Sequence, residues 1–164
     1  TIPDSSGFNR CTLIELNLTD KSIRKYLIGL IRPDIRLSPD GHQLAISGIP
    51  SSPSDTTHEK VGVLNLRNSN LKILQKRFSS YEWRGRLAWS HDGKYILHDW
   101  AAKEGRSIFE LLPVTGGLPR ELKLNPGALG GDIFIDQIDP SGTRVLVTVR
   151  SLEMDMWVLG RKKD

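Results

Sequence analysis

Leu37-Ser38-Pro39-Asp40-Gly41, followed by the apolar run Leu44 to Ile46, is the stretch on which the fold turns. It returns as Trp89-Ser90-His91-Asp92-Gly93 before Ile96-Leu97, and as Ile138-Asp139-Pro140-Ser141-Gly142 before Val145 to Val149. Ser or Asp in first place can turn a side-chain oxygen onto the N–H two residues on, and Pro presets φ for the next position. Asp tolerates the third place, and Gly accepts the positive φ that finishes the turn. Between β-branched and aromatic runs, such a corner reads as a tight hairpin connection. The second copy has His91 where Pro would sit and the third exchanges Asp and Ser, yet both keep their turn oxygens.

About fifty residues separate Gly41 from Gly93, and about as many separate Gly93 from Gly142, a spacing within the range of four-stranded propeller repeats. Each period holds a second hairpin. Val61 to Leu66, Asn68-Ser69-Asn70 and Leu71 to Leu74 form one, and Ser107 to Leu112, Thr115-Gly116-Gly117 and Arg120 to Leu124 form another. Thr12 to Leu18, Thr19-Asp20-Lys21 and Ser22 to Leu27 match this second half without a first half before them. The spacing predicts a half blade over 8–28, blades over 33–77 and 84–124, an incomplete last blade over 132–159 and a tail over 160–164. No window sustains a helical period, so the expected class is all-β: a partial β-propeller of about three and a half four-stranded antiparallel blades.

The corner, the apolar strand after it and the late strand ending Trp157-Val158-Leu159 resemble the WD-repeat-like β-propeller family of TolB-like proteins and of sensor regions in bacterial regulators and receptor kinases. Leu112-Pro-Val-Thr-Gly-Gly-Leu-Pro-Arg-Glu-Leu122 also resembles the hairpin of third and fourth strands in those repeats. The resemblance implies a non-enzymatic interaction or sensory module, the C-terminal part of a larger bacterial protein, in a periplasmic or other extracytoplasmic setting. Propellers carry many unrelated activities, so it speaks to fold before function.

Composition fits a globular β protein: 38% hydrophobic residues, with 15 Gly and 9 Pro to punctuate short strands. No apolar stretch approaches the roughly 20 residues of a membrane span, so no direct membrane insertion is expected. The single Cys11 excludes an intrachain disulfide. A propeller needs about four blades to close. The 164 residues offer fewer, leaving apolar faces and strand edges to be covered. Either the remaining blades of a longer chain or a second copy must supply that cover.

The net charge of +4 raises the question of nucleic acid, and Trp83-Arg84-Gly85-Arg86-Leu87-Ala88-Trp89 sets arginines among aromatics. Trp89 holds the apolar place before a corner, where blade core is expected, so solvated arginines at a strand start are preferred and no nucleic-acid partner is expected. The Arg161-Lys162-Lys163 cluster reads as a solvated tail. No Gly-x-Ser-x-Gly elbow, phosphate loop or His-Glu-x-x-His pair occurs, so no catalytic residue is assigned. His98 aligns with Ile46 and Val147 at positions that read as buried, and a hydrogen-bonded core histidine is the expectation. Asp40, Asp92 and Asp139 are accounted for by turn geometry, and no dense Asp/Asn loop closed by Glu suggests calcium. No metal or cofactor is expected.

A ligand should meet the longer loops opposite the corners: Gly48 to Lys60, Trp100 to Arg106, Leu30 to Pro33, Ser79 to Arg86 and Asn125 to Asp132. Trp and Arg dominate interface hot spots. The candidates for a protein or peptide partner are therefore Trp83, Arg84, Arg86, Trp100, Lys103 and Arg106. The alternative is an accessory propeller that gates substrate in a prolyl-oligopeptidase-like hydrolase, or a propeller-based carbohydrate enzyme. A hydrolase domain elsewhere in the gene would distinguish it.

Overall fold

The computed structural model describes residues 2–3, 9–31, 33–52, 58–78, 86–101, 107–122, 132–138 and 144–150. All regular structure among them is strand: β1 (Ile2–Pro3), β2 (Asn9–Leu16), β3 (Ile23–Ile31), β4 (Ile35–Leu37), β5 (Gln43–Pro50), β6 (His58–Asn65), β7 (Leu71–Phe78), β8 (Leu87–Trp89), β9 (Tyr95–Ala101), β10 (Ser107–Pro113), β11 (Arg120–Leu122), β12 (Asp132–Ile138) and β13 (Val145–Arg150). They form antiparallel sheets in chain order: β1-β2-β3, β4-β5-β6-β7, β8-β9-β10-β11 and β12-β13. The third corner, the Trp157-Val158-Leu159 strand and the 160–164 tail lie outside the described residues.

The corners form by a different division of labour from the one their sequence suggests. Asp, not Ser, reaches two residues on: Asp40 Oδ1 accepts the His42 N–H at 3.0 Å, and Asp92 Oδ1 accepts that of Lys94 at 3.1 Å. Ser38 and Ser90 instead donate their hydroxyls to those aspartates at 2.6 and 2.7 Å and accept the N–H of Gln43 and Tyr95, each at 2.9 Å. The serine thus clamps the turn to the first residue of the next strand. Gly41 and Gly93 sit at φ +73° and +68°, in the left-handed region where a Cβ is strained.

The second and third sheets each have two apolar faces, and consecutive sheets stack face to face. We call the face toward the preceding sheet the front and the other the rear. Leu30 of the first sheet packs on Ile46, Ile49 and Leu64, on the front of the second. The rear of the second sheet (Ala45, Val61, Val63) meets the front of the third (Leu87, Trp89, Ile96, Leu112). On the rear of the third sheet, Ala88, Leu97 and Phe109 receive Val145 of the fourth. First strands neighbour one another, β4 beside β8 and β8 beside β12, and so mark the inner edge of the array. Radial sheets stacked this way, inner strand to inner strand, make the fold an all-β partial propeller.

Polar bonds lock the inner strands. Leu87 N donates to Asp34 Oδ2 at 2.8 Å, Arg36 Nε donates to Leu87 O at 3.0 Å, and Trp89 Nε1 donates to Arg36 O at 2.9 Å. Asp34 and Arg36 also pair at 3.2 Å. Trp89 is therefore core, as its place before the corner predicts, with its one polar atom satisfied. Gly62 serves a close approach: a Cβ there would lie 2.8 Å from the Lys72 carbonyl oxygen.

Equivalent positions differ sharply at the two ends of the array. Leu37 holds the place of Trp89, yet it is 56% exposed against 8%. Leu16 holds the place of Leu64 and Leu112, yet it is 49% exposed where each of those is 1%. Leu146 holds the place of Ala45 and Leu97, both 0% exposed, and is itself 63% exposed. The apolar residue before the first corner is thus not core, because no inner strand of the first sheet stands in front of it among the described residues.

Candidate functional site

Antiparallel order puts the corners and the β6–β7 and β10–β11 turns at one end of the sheets and the longer connections at the other. At the corner end the seam between second and third sheets is apolar. Toward the loop end it becomes polar. In register, Ile96 faces Leu112, and two residues on His98 faces Glu110. The equivalent pair in the second sheet is Ile46 with Gly62. His98 is fully buried and Glu110 is 6% exposed.

A buried carboxylate needs donors. Glu110 Oε2 accepts Gln75 Nε2 at 2.8 Å from β7 and Trp100 Nε1 at 3.0 Å from β9, so a single oxygen ties both sheets together. Gln75 is buried too, and its Oε1 has no hydrogen-bond partner among the described residues. Trp100, one of the predicted contact residues, is half-buried, with its indole N–H committed to this cluster. Arg86, another, opens β8. Its N–H donates to Asp99 Oδ1 and its carbonyl accepts Asp99 N at 3.1 Å, repeating the Asp34–Ser47 pairing of the preceding sheet. Arg86 and Trp100 therefore stand at the loop ends of neighbouring strands β8 and β9. Trp83, Arg84, Lys103 and Arg106 lie outside the described residues.

His98 is where its alignment with Ile46 put it. Glu110 and Gln75 were not singled out from the sequence, although Glu110 carries a signal: it interrupts the apolar run Ile108-Phe109-Glu110-Leu111-Leu112. A charge inside such a run marks a buried partner. Gln75 follows Leu71-Lys-Ile-Leu74 with nothing to distinguish it from a solvent-facing residue.

At the opposite end, a cleft of about 200 Å³ lies between the first two corners, walled by Asp40, Gln43, Trp89, His91, Asp92 and Val114 among others. Both carboxylates are held below the usual range, chiefly by the Ser38 and Ser90 hydroxyls and then by the His42 and Lys94 N–H groups. Asp92 also pairs with Lys94 at 3.3 Å. These are the turn's own bonds. Among the described residues no group of three or more His, Cys, Asp or Glu is placed to hold a metal ion. No helix among them is long and apolar enough to cross a membrane.

No protein family and no curated protein matches the sequence. Solved structures do match. The crystal structure of TolB from Acinetobacter baumannii superposes with a TM-score of 0.61 at 12% identity, over 83% of this chain and 31% of that one. The TolB structure from Agrobacterium tumefaciens gives 0.52 at 18% identity, over 82% of this chain and 44% of that one. The chain thus spans less than half the length of either. What it shares with them is the fold: a TolB-like β-propeller, here as a partial array of blades.

Proposed function

We propose that the chain is a non-enzymatic propeller module, part of a sensory or TolB-like domain of a larger bacterial protein outside the cytoplasm. Its loop end presents a rigid surface to a protein or peptide partner. The observation that supports this most is the change in the second seam from apolar packing to the buried Gln75–Glu110–Trp100 tie, at the strand ends opposite the corners. A hydrogen-bonded polar anchor fixes the strand ends from which contact residues project, and preorganised loops bind with less ordering cost. Trp83, Arg84 and Arg86 lead into one of those strand ends, and Trp100, Lys103 and Arg106 lead out of its neighbour. The blades extend as 33–77 and 84–124, flanked by a half blade at 8–28 and an incomplete one at 132–159. The ring is completed by further blades of a longer chain or by a second copy.

The test is replacement of Arg84 and Arg86 together by Ala. Capture of a peptide or protein partner from an envelope fraction should weaken at least tenfold, while the melting temperature stays within about 2 °C. Equal loss of stability and capture would make the two arginines structural and remove the reading.

A further inference from the structure

The turn between β2 and β3 carries chemistry that its structural twin lacks. Asn17 N donates to Ser22 O at 2.9 Å to close it, as Asn65 N donates to Asn70 O, also at 2.9 Å, in the turn between β6 and β7. Asn17 Oδ1 accepts the Thr19 N–H at 2.9 Å, and Asn65 Oδ1 accepts the Arg67 N–H at 2.9 Å. Such an Asx turn needs Asn in first place and uses only the backbone of the residue two places on. Thr19 and Arg67 therefore serve it equally. Only the first turn adds a hydroxyl at that place, and only it has a carboxylate two places before its Asn, Glu15 where the other has Val63.

We propose that Asn17 is an acceptor for an N-linked oligosaccharide. Asn-x-Ser/Thr, with x other than Pro, is the acceptor triplet of N-glycosylation, and Asn17-Leu18-Thr19 is its one occurrence in the chain. The upstream carboxylate extends it to Glu15-Leu16-Asn17-Leu18-Thr19, the longer form that bacterial oligosaccharide transferases accept. The inference rests on the extracytoplasmic setting proposed above, where such transfer takes place, and on no partner at the loop end.

The groups a transferase must reach are open. Residues 15 to 19 are all exposed. With Oδ1 held by the Thr19 N–H, Asn17 Nδ2 and the Thr19 hydroxyl have no hydrogen-bond partner among the described residues. Glu15 accepts the Tyr26 hydroxyl at Oε2, and its side chain stays exposed. The second sheet is flanked by the first and the third, yet in its equivalent turn Arg67 to Asn70 are exposed and Asn65 partly so. Exposure of this turn therefore does not depend on the front of the first sheet being bare. In the transfer, Asn17 Nδ2 attacks the anomeric carbon of an oligosaccharide carried on a polyprenyl diphosphate. A C–N bond forms, the bond from that carbon to the phosphate oxygen breaks with its electron pair leaving on the diphosphate, and one Nδ2 proton passes to a base of the transferase.

The test is transfer to the folded chain in vitro, with a purified bacterial oligosaccharide transferase and a polyprenyl-diphosphate-linked oligosaccharide. Mass spectrometry should show one glycan added, carried on the tryptic peptide Cys11–Lys21. Thr19→Ser should keep transfer and Thr19→Ala should lose it, with the same circular dichroism spectrum, because both retain the N–H that the turn uses. Glu15→Gln should slow transfer roughly tenfold, the worth of one hydrogen bond to a charged group. No glycan on Asn17, or equal transfer to Thr19→Ala, overturns the proposal. In native cells the two inferences fail differently: a chain confined to the cytoplasm overturns the setting and this proposal with it. An envelope chain whose Cys11–Lys21 peptide is unmodified overturns this proposal alone.

Discussion

Trp89 and Leu37 occupy the same place in successive blades, and replacing each by Ala separates burial from sequence position. Trp89→Ala removes an indole that is 8% exposed within a core of Ala45, Val61, Val63, Leu87, Ile96 and Leu112. Deleting a large aromatic side chain from such a site costs about 3–5 kcal/mol. Part of that, about 1 kcal/mol, is the lost Nε1 bond to Arg36 O, so Trp89→Phe should cost about 2–3 kcal/mol. Leu37, at 56% exposure, has little burial left to lose, and Leu37→Ala should cost below about 1 kcal/mol. Urea unfolding followed by circular dichroism measures both, with the slope m expected to stay constant. Equal costs at the two positions would refute the stacking order, because the two residues would then have similar neighbours.

Gly62→Ala should destabilise by about 1–3 kcal/mol through overpacking, since its Cβ meets the Lys72 carbonyl at 2.8 Å. Gly41→Ala, with open space but φ +73°, should lose only about 1–2 kcal/mol to backbone strain; denaturation midpoints rank the two. Glu110→Ala strands the Gln75 and Trp100 donors and should cost about 2–4 kcal/mol, with a shift in tryptophan emission, whereas Glu110→Gln keeps an acceptor and should cost less. Asp40 and Asp92 have folded-state pKa values below their unfolded values, so the stability they add is present above the unfolded carboxylate range and is lost as pH falls through the depressed folded values. The stability gap between the wild type and Asp40→Asn/Asp92→Asn should therefore narrow on acidification below about pH 4, and a gap that widens there would contradict the turn geometry.

The fold was legible because its corners are local: a turn needs particular residues at adjacent places, and Ser38-Pro39-Asp40-Gly41 announces itself without reference to the rest of the chain. Strand pairing followed from the alternation between corners. What the sequence concealed was which oxygen makes which bond, since Ser and Asp can each accept, and only the geometry shows Ser38 bridging to Gln43 while Asp40 takes His42. Leu37 differs from Trp89 for a non-local reason. Its residue type matches Trp89 in being apolar, but its burial depends on strands that belong to the neighbouring blade. The polar seam was half legible: His98 stood out by alignment, whereas Gln75 gains its role only from Glu110, 35 residues away.

Hydroxyl-radical footprinting of the chain compares equivalent leucines within one molecule and bears most directly on the open stack of blades. Leu16 and Leu146 should be oxidised readily while Leu64, Leu112 and Leu97 stay protected. Equal oxidation of Leu16 and Leu64, or of Leu146 and Leu97, would mean that the sheets do not stack in this order.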